Sequence, residues 1–417
     1  LLRRFCFTVY SQHMSLTLTP RQLIEAATQF GTPLYVYHAE RINEQYQLLL
    51  KAFKAVDAHF FYAAKALTNI NILKYINSIG CKVDCSSINE VKLALRADFA
   101  PANILYTSNN ISFAEIMEAK EAGVHINIDS ISNLRKFGEQ YGHSYPVGIR
   151  LRPNIMAGGN LKIATGHSSS KFGVPVEAIE EILQIQRETN LHIRTLHIHT
   201  GSEIKDVAVF AKGIEVLLGL VKFFPELEVI DLGGGFKVPY RQDEAGTDIN
   251  QLGEKVKEEF DSFEKNNKRH LQVWFEPGKF IVSEAGYFIT KVNVLKQSGN
   301  IAFAGINSGL NHLIRPMFYG AYHEIENISN PNGELKDFHV VGNICETDTF
   351  AEDRILPEVR EGDYLVFKNA GAYCFEMSSH YNSRFKPAEV LYLNNRPQLI
   401  RKRDELDDLL RNQLEII

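Results

Sequence analysis

Cysteine is scarce in this chain and does not pair. Five occur among 417 residues, Cys6, Cys81, Cys85, Cys345 and Cys374. An odd number with no Cys-x-x-Cys pair excludes a disulfide scaffold and suits a reducing cytosol. Basic charge is not in excess either. With 45 Lys and Arg against 50 Asp and Glu, the formal net charge is -5, which leaves no electrostatic footprint for nucleic acid or an anionic membrane. No apolar run approaches the ~18 residues of a spanning helix. Low-complexity segments and an obvious linker are also missing. Residues 1–13, LLRRFCFTVYSQH, precede Met14. Their apolar stretch is too short for a signal peptide and no small-residue cleavage site follows, so they are expected to be a non-native or misassigned start before a natural Met14.

What is present is an ordinary globular composition, 45% hydrophobic and 23% charged, in a chain long enough for two domains. Strand-like runs recur at HFFYA (59–63), CKVDC (81–85), NILYT (103–107), HINID (125–129), PVGIRLR (146–152), IRTLHIH (193–199), EVIDL (228–232) and QVWFE (272–276). Helix-like stretches such as SSINEVKLALRAD, SFAEIMEAKEA and VEAIEEILQIQRET separate them, with Ser near several starts as a cap. Eight such units predict a closed (β/α)8 TIM-like barrel over 36–284, with its chemistry on the loops that follow the strand ends. An open doubly wound sheet is the competing architecture. After residue 285 the runs GYFITKVNVLKQ, NIAFAGIN, FHVVGN, DYLVFKNAG and AEVLYL predict a mostly antiparallel β domain over 285–417, joined by 14–35. TPLYVY (32–37) is β-rich and fits either domain.

The candidate chemistry sits at strand ends. Lys65, in HFFYAAKALTN, follows the first barrel strand. It is either a snorkelling lysine or a Schiff-base lysine whose apolar setting lowers its pKa enough to leave a neutral amine. DLGGGF (231–236) ends the seventh strand, and three glycines let backbone N–H groups approach an anion. The motif lacks the trailing Lys-Ser/Thr of a nucleotide loop, and a plain tight turn is the alternative. In HIHTGSEI (197–204), His197 and His199 alternate onto one face, which raises a two-histidine metal site. A third ligand at fitting spacing is missing, and no metal is expected. A flat imidazole there can instead stack on an aromatic cofactor, with Gly201 and Ser202 toward its phosphate. Glu276, in EPGK at the end of the eighth strand, is either a structural ion-pair partner or a carboxylate for a cofactor's pyridine nitrogen. Cys345, beside Glu346 and Asp348 in GNICETDTF, has the setting of a proton donor rather than of a buried thiol.

In this order FYAAKAL, SKFG (170–173), HIHTGSE, DLGGGF, EPGK, LIRPMFYGAYH (313–323), GNICETD and GAYCFEMSSHYNSRFKPAEV (371–390) cover residues from about 20 to about 395. Together they resemble the alanine-racemase-like, barrel-type pyridoxal-phosphate decarboxylases. LIRPMFYGAYH with MSSHYNSR favours the branch acting on meso-2,6-diaminopimelate, whose product is L-lysine, over those acting on ornithine, arginine or carboxynorspermidine. The resemblance implies pyridoxal 5'-phosphate carried on Lys65, with His199 against its ring. It implies Ser202, Gly234, Gly235 and Gly278 at the phosphate, Glu276 at the pyridine nitrogen and Tyr373 near the cofactor and substrate. It also implies Arg315, Tyr319 and Lys279 at a substrate carboxylate. Cys345 as proton donor and Glu346 at the distal amine would come from the partner subunit of a homodimer. One position departs from the family pattern: where the motif usually reads EPGR, this chain has Lys279, which keeps the charge but loses the planar fork. A non-catalytic regulatory relative would be expected to lack Lys65 or Cys345, and both are present.

Overall fold

The computed structural model describes residues 17–155 and 170–417; the residues before Met14, read above as a misassigned start, lie outside this range. Eight parallel strands follow one another at Ala58–Ala63, Lys82–Cys85, Ile104–Thr107, His125–Ile128, Val147–Arg152, Ile193–Ile198, Val229–Asp231 and Gln272–Phe275. The last pairs with the first, Val273 opposite Ala58 and Phe275 opposite Phe60, so the sheet closes on itself. That closure decides between the barrel and the open sheet. A two-residue strand at Val174–Pro175 leans on the fifth barrel strand.

The crossovers form where the text carries helix signals. Helix Ile88–Arg96 is capped by Ser87, whose hydroxyl accepts the Glu90 N–H at 3.2 Å, and Phe113–Glu121 by Ser112 in the same manner. Ile179–Thr189 has no side-chain cap and is entered through a single 3-10 turn at Val176–Ala178. Between the barrel and its helical layer, Phe60 and Phe275 stack across the closing seam with centroids 5.6 Å apart, and Phe53, at the end of helix Ala39–Ala52, meets Phe60 edge-on at 5.5 Å.

The second sheet is mostly antiparallel. Gly286–Ser298 pairs with Ile301–Ile306 and with Tyr364–Phe367, and Leu335–Val341 with Thr349–Pro357. TPLYVY resolves as Leu34–His38, buried along its whole length between Gly286–Ser298 and Ala388–Leu393. Residues 36–38, placed in the barrel by the 36–284 division, therefore belong to this sheet, because both ladders of the strand are satisfied there. The chain enters through the second sheet, builds the barrel and returns. Thr349–Pro357, Ile325–Asn327 and Arg396–Arg401 are strands the sequence reading left out.

The handover between the two sheets is crowded. A Cβ on Gly371 would lie 1.8 Å from the Val282 carbonyl oxygen, and one on Gly286 would lie 2.1 Å from the Gly371 nitrogen. The Gly371 N–H donates to Ser283 at 3.1 Å, and two residues on the Tyr373 N–H donates to Ala66 at 2.9 Å. This loop thereby fastens the second sheet to the turn that bears Lys65. Gly371→Ala is expected to cost about 1–3 kcal/mol through overpacking, seen as a lower urea midpoint than the parent protein.

Candidate active site

Lys65 sits in the single 3-10 turn Ala64–Ala66 directly after the first barrel strand. Its Nζ donates to Asp84 Oδ2 at 3.1 Å, so it neither snorkels freely nor meets only apolar neighbours. Burial lowers the pKa of Lys65, but Asp84, the Tyr373 phenol and Glu276 outweigh it, and the net shift is upward. The expectation of a lowered pKa is therefore corrected: in the protein alone the amine is an ammonium held by a buried carboxylate.

Asp84 belongs to a charged floor that the sequence reading missed. Asp84 and Asp231 are wholly buried and Glu276 is 6% exposed, with Arg150 of the fifth strand among them at 7%. Burial raises the pKa of all three acids, and their mutual repulsion adds to the rise at Glu276 and Asp231. Asp231 reaches about 7 even though it accepts the Gly233 N–H at 2.9 Å. Glu276 accepts from Thr107 Oγ1 at 3.5 Å, and burial, with Asp84 and Asp231 beside it, pushes its pKa well above the usual carboxylate range. The available signal was one charged letter inside an apolar strand, the Asp of CKVDC and the first Arg of PVGIRLR.

The two histidines separate. His197 is fully buried, its Nε2 3.4 Å from Glu276 Oε1. The ligand atoms of His197, Asp231 and Glu276 lie within 4.8 Å of one another, and the described residues bring no group together around both histidines. His199 sits at the rim, its Nδ1 accepting the Gly234 N–H at 3.2 Å. Burial, then Arg150 and Lys65, lower His199 to about 3, which leaves a neutral flat ring at any ordinary pH.

The glycine loop is shaped by its neighbours. Gly233 and Gly235 have φ of +66° and +106°, and a Cβ on Gly234 would meet the Glu276 carbonyl oxygen at 2.4 Å. Backbone bonds tie three strand ends together: Ile204 N–H to Gly235 at 2.9 Å and Glu276 N–H to Gly233 at 2.8 Å. One pocket results. Lys65, His199, Ser202, Gly234, Gly235, Glu276, Gly278, Lys279 and Tyr373 all line it, together with Glu203.

Four other sequence-predicted residues lie elsewhere. Arg315 and Tyr319 adjoin the pocket through Tyr240, the Arg315 Cζ being 5.6 Å from that ring and 5.8 Å from the Tyr319 ring. Cys345 and Glu346 stand on an exposed loop of the second domain and do not line the pocket of their own chain. There the Cys345 N–H donates to Asn382 Oδ1 at 2.8 Å, and the Tyr381 hydroxyl donates to Glu346 at 2.7 Å.

The raised acid has a thermodynamic consequence. The folded chain holds a proton on Asp231 up to about pH 7, whereas the unfolded one releases it near the ordinary carboxylate value of 3.8. The site favours folding at low pH, and that contribution is lost as pH rises to about 7. In cofactor-free protein the stability of Asp231→Asn relative to the parent is expected to rise between about pH 4 and 7 and then level off, as read by urea unfolding across that range.

Residues 39–283 match the family model described as pyridoxal-dependent decarboxylase, pyridoxal binding domain. The chain is 38% identical over 400 residues to a diaminopimelate decarboxylase of Methanothermobacter thermautotrophicus, covering 94% of this chain and 93% of that one. It is 34% identical to the diaminopimelate decarboxylase of Aquifex aeolicus, with 94% of each covered. Among solved structures, the Helicobacter pylori diaminopimelate decarboxylase complexed with L-lysine superposes with a TM-score of 0.86 at 30% identity, covering 93% of this chain and 98% of that one. With the lysine, histidine, glycine loop and acid gathered at the mouth of a closed barrel, the chain belongs to the diaminopimelate decarboxylases, within the pyridoxal-dependent decarboxylase family.

Proposed function

We infer that this protein decarboxylates meso-2,6-diaminopimelate to L-lysine and CO2 with pyridoxal 5'-phosphate as cofactor, the last step of lysine biosynthesis. The observation that carries the reading is the convergence of Lys65, His199, the Gly234–Gly235 loop and Glu276 on one pocket. Its parts fit the cofactor group by group. The Lys65 amine is the attachment point. Gly234 and Gly235, with Ser202 and the Gly278 turn, line the part of the pocket that would take the phosphate, close enough for backbone to approach it. The neutral His199 ring offers a flat face. Glu276, a buried carboxyl of raised pKa at the end of the eighth strand, would be the partner of a pyridine nitrogen.

Bound there, pyridoxal phosphate supplies an electron sink for the pair left at Cα when CO2 departs. The protein's own groups do the rest. Asp84 steadies the Lys65 ammonium and is placed to accept its charge when the amine is needed neutral. Tyr373, held with φ +57° by its bond to Ala66, closes the pocket from the second domain. Arg315, Tyr319 and Lys279 receive the distal carboxylate. Cys345 of a second copy returns a proton to Cα, and Glu346 of that copy faces the distal amine. Their exposure on a loop away from their own pocket supports a homodimer with shared sites. No described helix is long and apolar enough to cross a membrane, and unpaired cysteines support a cytoplasmic setting.

Release of CO2 from a panel of meso-diaminopimelate, ornithine, arginine and lysine tests the substrate, and faster turnover of ornithine overturns it. Lys65→Ala is expected to abolish both the visible absorbance of the lysine-bound cofactor and turnover. Cys345→Ala is expected to keep the absorbance and lose about 10²–10⁴-fold in rate. Mixing the two inactive variants in equal amounts is expected to restore roughly a quarter of the parent activity, since half of randomly paired C2 dimers carry one intact site. A mixture as inactive as its parts excludes shared sites.

A further inference from the structure

Glu203 has a backbone φ of +63°, a region where glycine rests without cost and other residues do not. Residues kept there cluster at ligand clamps, where the surrounding structure over-determines them. The side chain shows what this conformation achieves: Glu203 lines the pocket, and its Oε1 contacts Nζ of Lys279. The Lys279 side chain is 11% exposed and that of Glu203 31%, so the pair is less screened than an ordinary surface one.

A second cation shares the same ring. Lys279 Nζ lies 4.6 Å from the Tyr240 centroid, with Arg315 Cζ 5.6 Å from it. Only Lys279 is in direct contact with a carboxylate, although the Glu203 charge also reaches Arg315. Among the described residues no carboxylate lies within ion-pair distance of Arg315, and this buried side chain has an Nε without a hydrogen-bond partner. Two cations thus share one ring, Lys279 in the pocket and already paired by the chain itself, Arg315 beside the pocket and without an ion-pair partner.

We propose that Glu203 is an internal stand-in for the substrate's distal carboxylate: in the free enzyme it occupies Lys279, and a ligand reaches that cation only by displacing it. This rests on the reading of the pocket as a diaminopimelate site. A ligand with a distal carboxylate pairs with Arg315, which has no carboxylate in direct contact, and then exchanges with Glu203 at Lys279. A ligand ending in an amine alone leaves the Glu203–Lys279 pair intact and Arg315 buried without its anion, an unsatisfied charge that penalises it. Glu203 therefore tunes selectivity through a cost on the correct ligand, a role that a single-point cation such as Lys279 permits because it offers no second parallel hydrogen bond to hold both anions at once.

The test uses holoenzyme turning over meso-diaminopimelate, with two competitive ligands, pimelate (two carboxylates, no amine) and L-lysine (one carboxylate). Glu203→Gln is expected to lower the Ki of pimelate about three- to tenfold with no fall in the Ki of L-lysine. In a Lys279→Met background the same substitution is expected to leave pimelate unchanged. A merely structural role for Glu203 would move both ligands together and would not depend on Lys279. Glu203→Gly, which suits the left-handed backbone, is expected to move pimelate in the same direction and serves if Glu203→Gln does not hold its cofactor. An unchanged or higher pimelate Ki in a variant that holds cofactor overturns the proposal. A parent enzyme that prefers ornithine overturns the substrate reading instead, so the two failures are told apart.

Discussion

The structure turns on a charge balance built on buried acids and met at the barrel mouth by a half-exposed lysine. Asp84, Asp231 and Glu276 converge beneath the barrel mouth with Lys65 and Arg150 as their cations. Burying an ion costs several kcal/mol unless it is paired, so the pKa values of the acids rise, and Asp84 keeps the Lys65 amine charged. Both deviations prepare the site. The raised acids Asp231 and Glu276 stand in the floor of the site, and the Lys65 ammonium leans directly on Asp84. The neutral state of His199 has the same origin, since Arg150 and Lys65 add to burial in opposing a third positive charge there.

That balance depends on the second domain as much as on the barrel. The Tyr373 N–H bonds to Ala66, one residue beyond Lys65, through a loop whose glycines leave no room for a Cβ. Leu34–His38 is threaded between two strands of the second sheet before the barrel begins. The bond from Tyr373 ties the lysine turn to the second domain, which gives a loop at a barrel rim the rigidity that a binding site requires. The same domain carries Cys345 and Glu346 on an exposed loop away from the pocket.

Much of this was legible because it is local. The eight strands announce themselves as short apolar runs, their Ser-capped crossovers as helices, and Lys65, Gly234, Gly235 and Glu276 as unusual letters at strand ends. Strands such as Thr349–Pro357, with three charged residues among nine, carry weaker patterns and were passed over. The Lys65 pKa was read in the wrong direction for a similar reason. Its neighbours in sequence are apolar, whereas the carboxylate that governs it stands 19 residues away on the adjacent strand.

The sequence by itself determined the elements, their order and the residue types at the barrel mouth, since periodicity, caps and glycine placement act over a few residues. Only the tertiary structure decided that strand eight closes on strand one, that His197 and His199 part, that Asp84 and Arg150 complete the floor, and that Glu203 holds Lys279. These are contacts between residues far apart in the chain. A Coulomb interaction across a buried site depends on distance and dielectric, and no single segment encodes either.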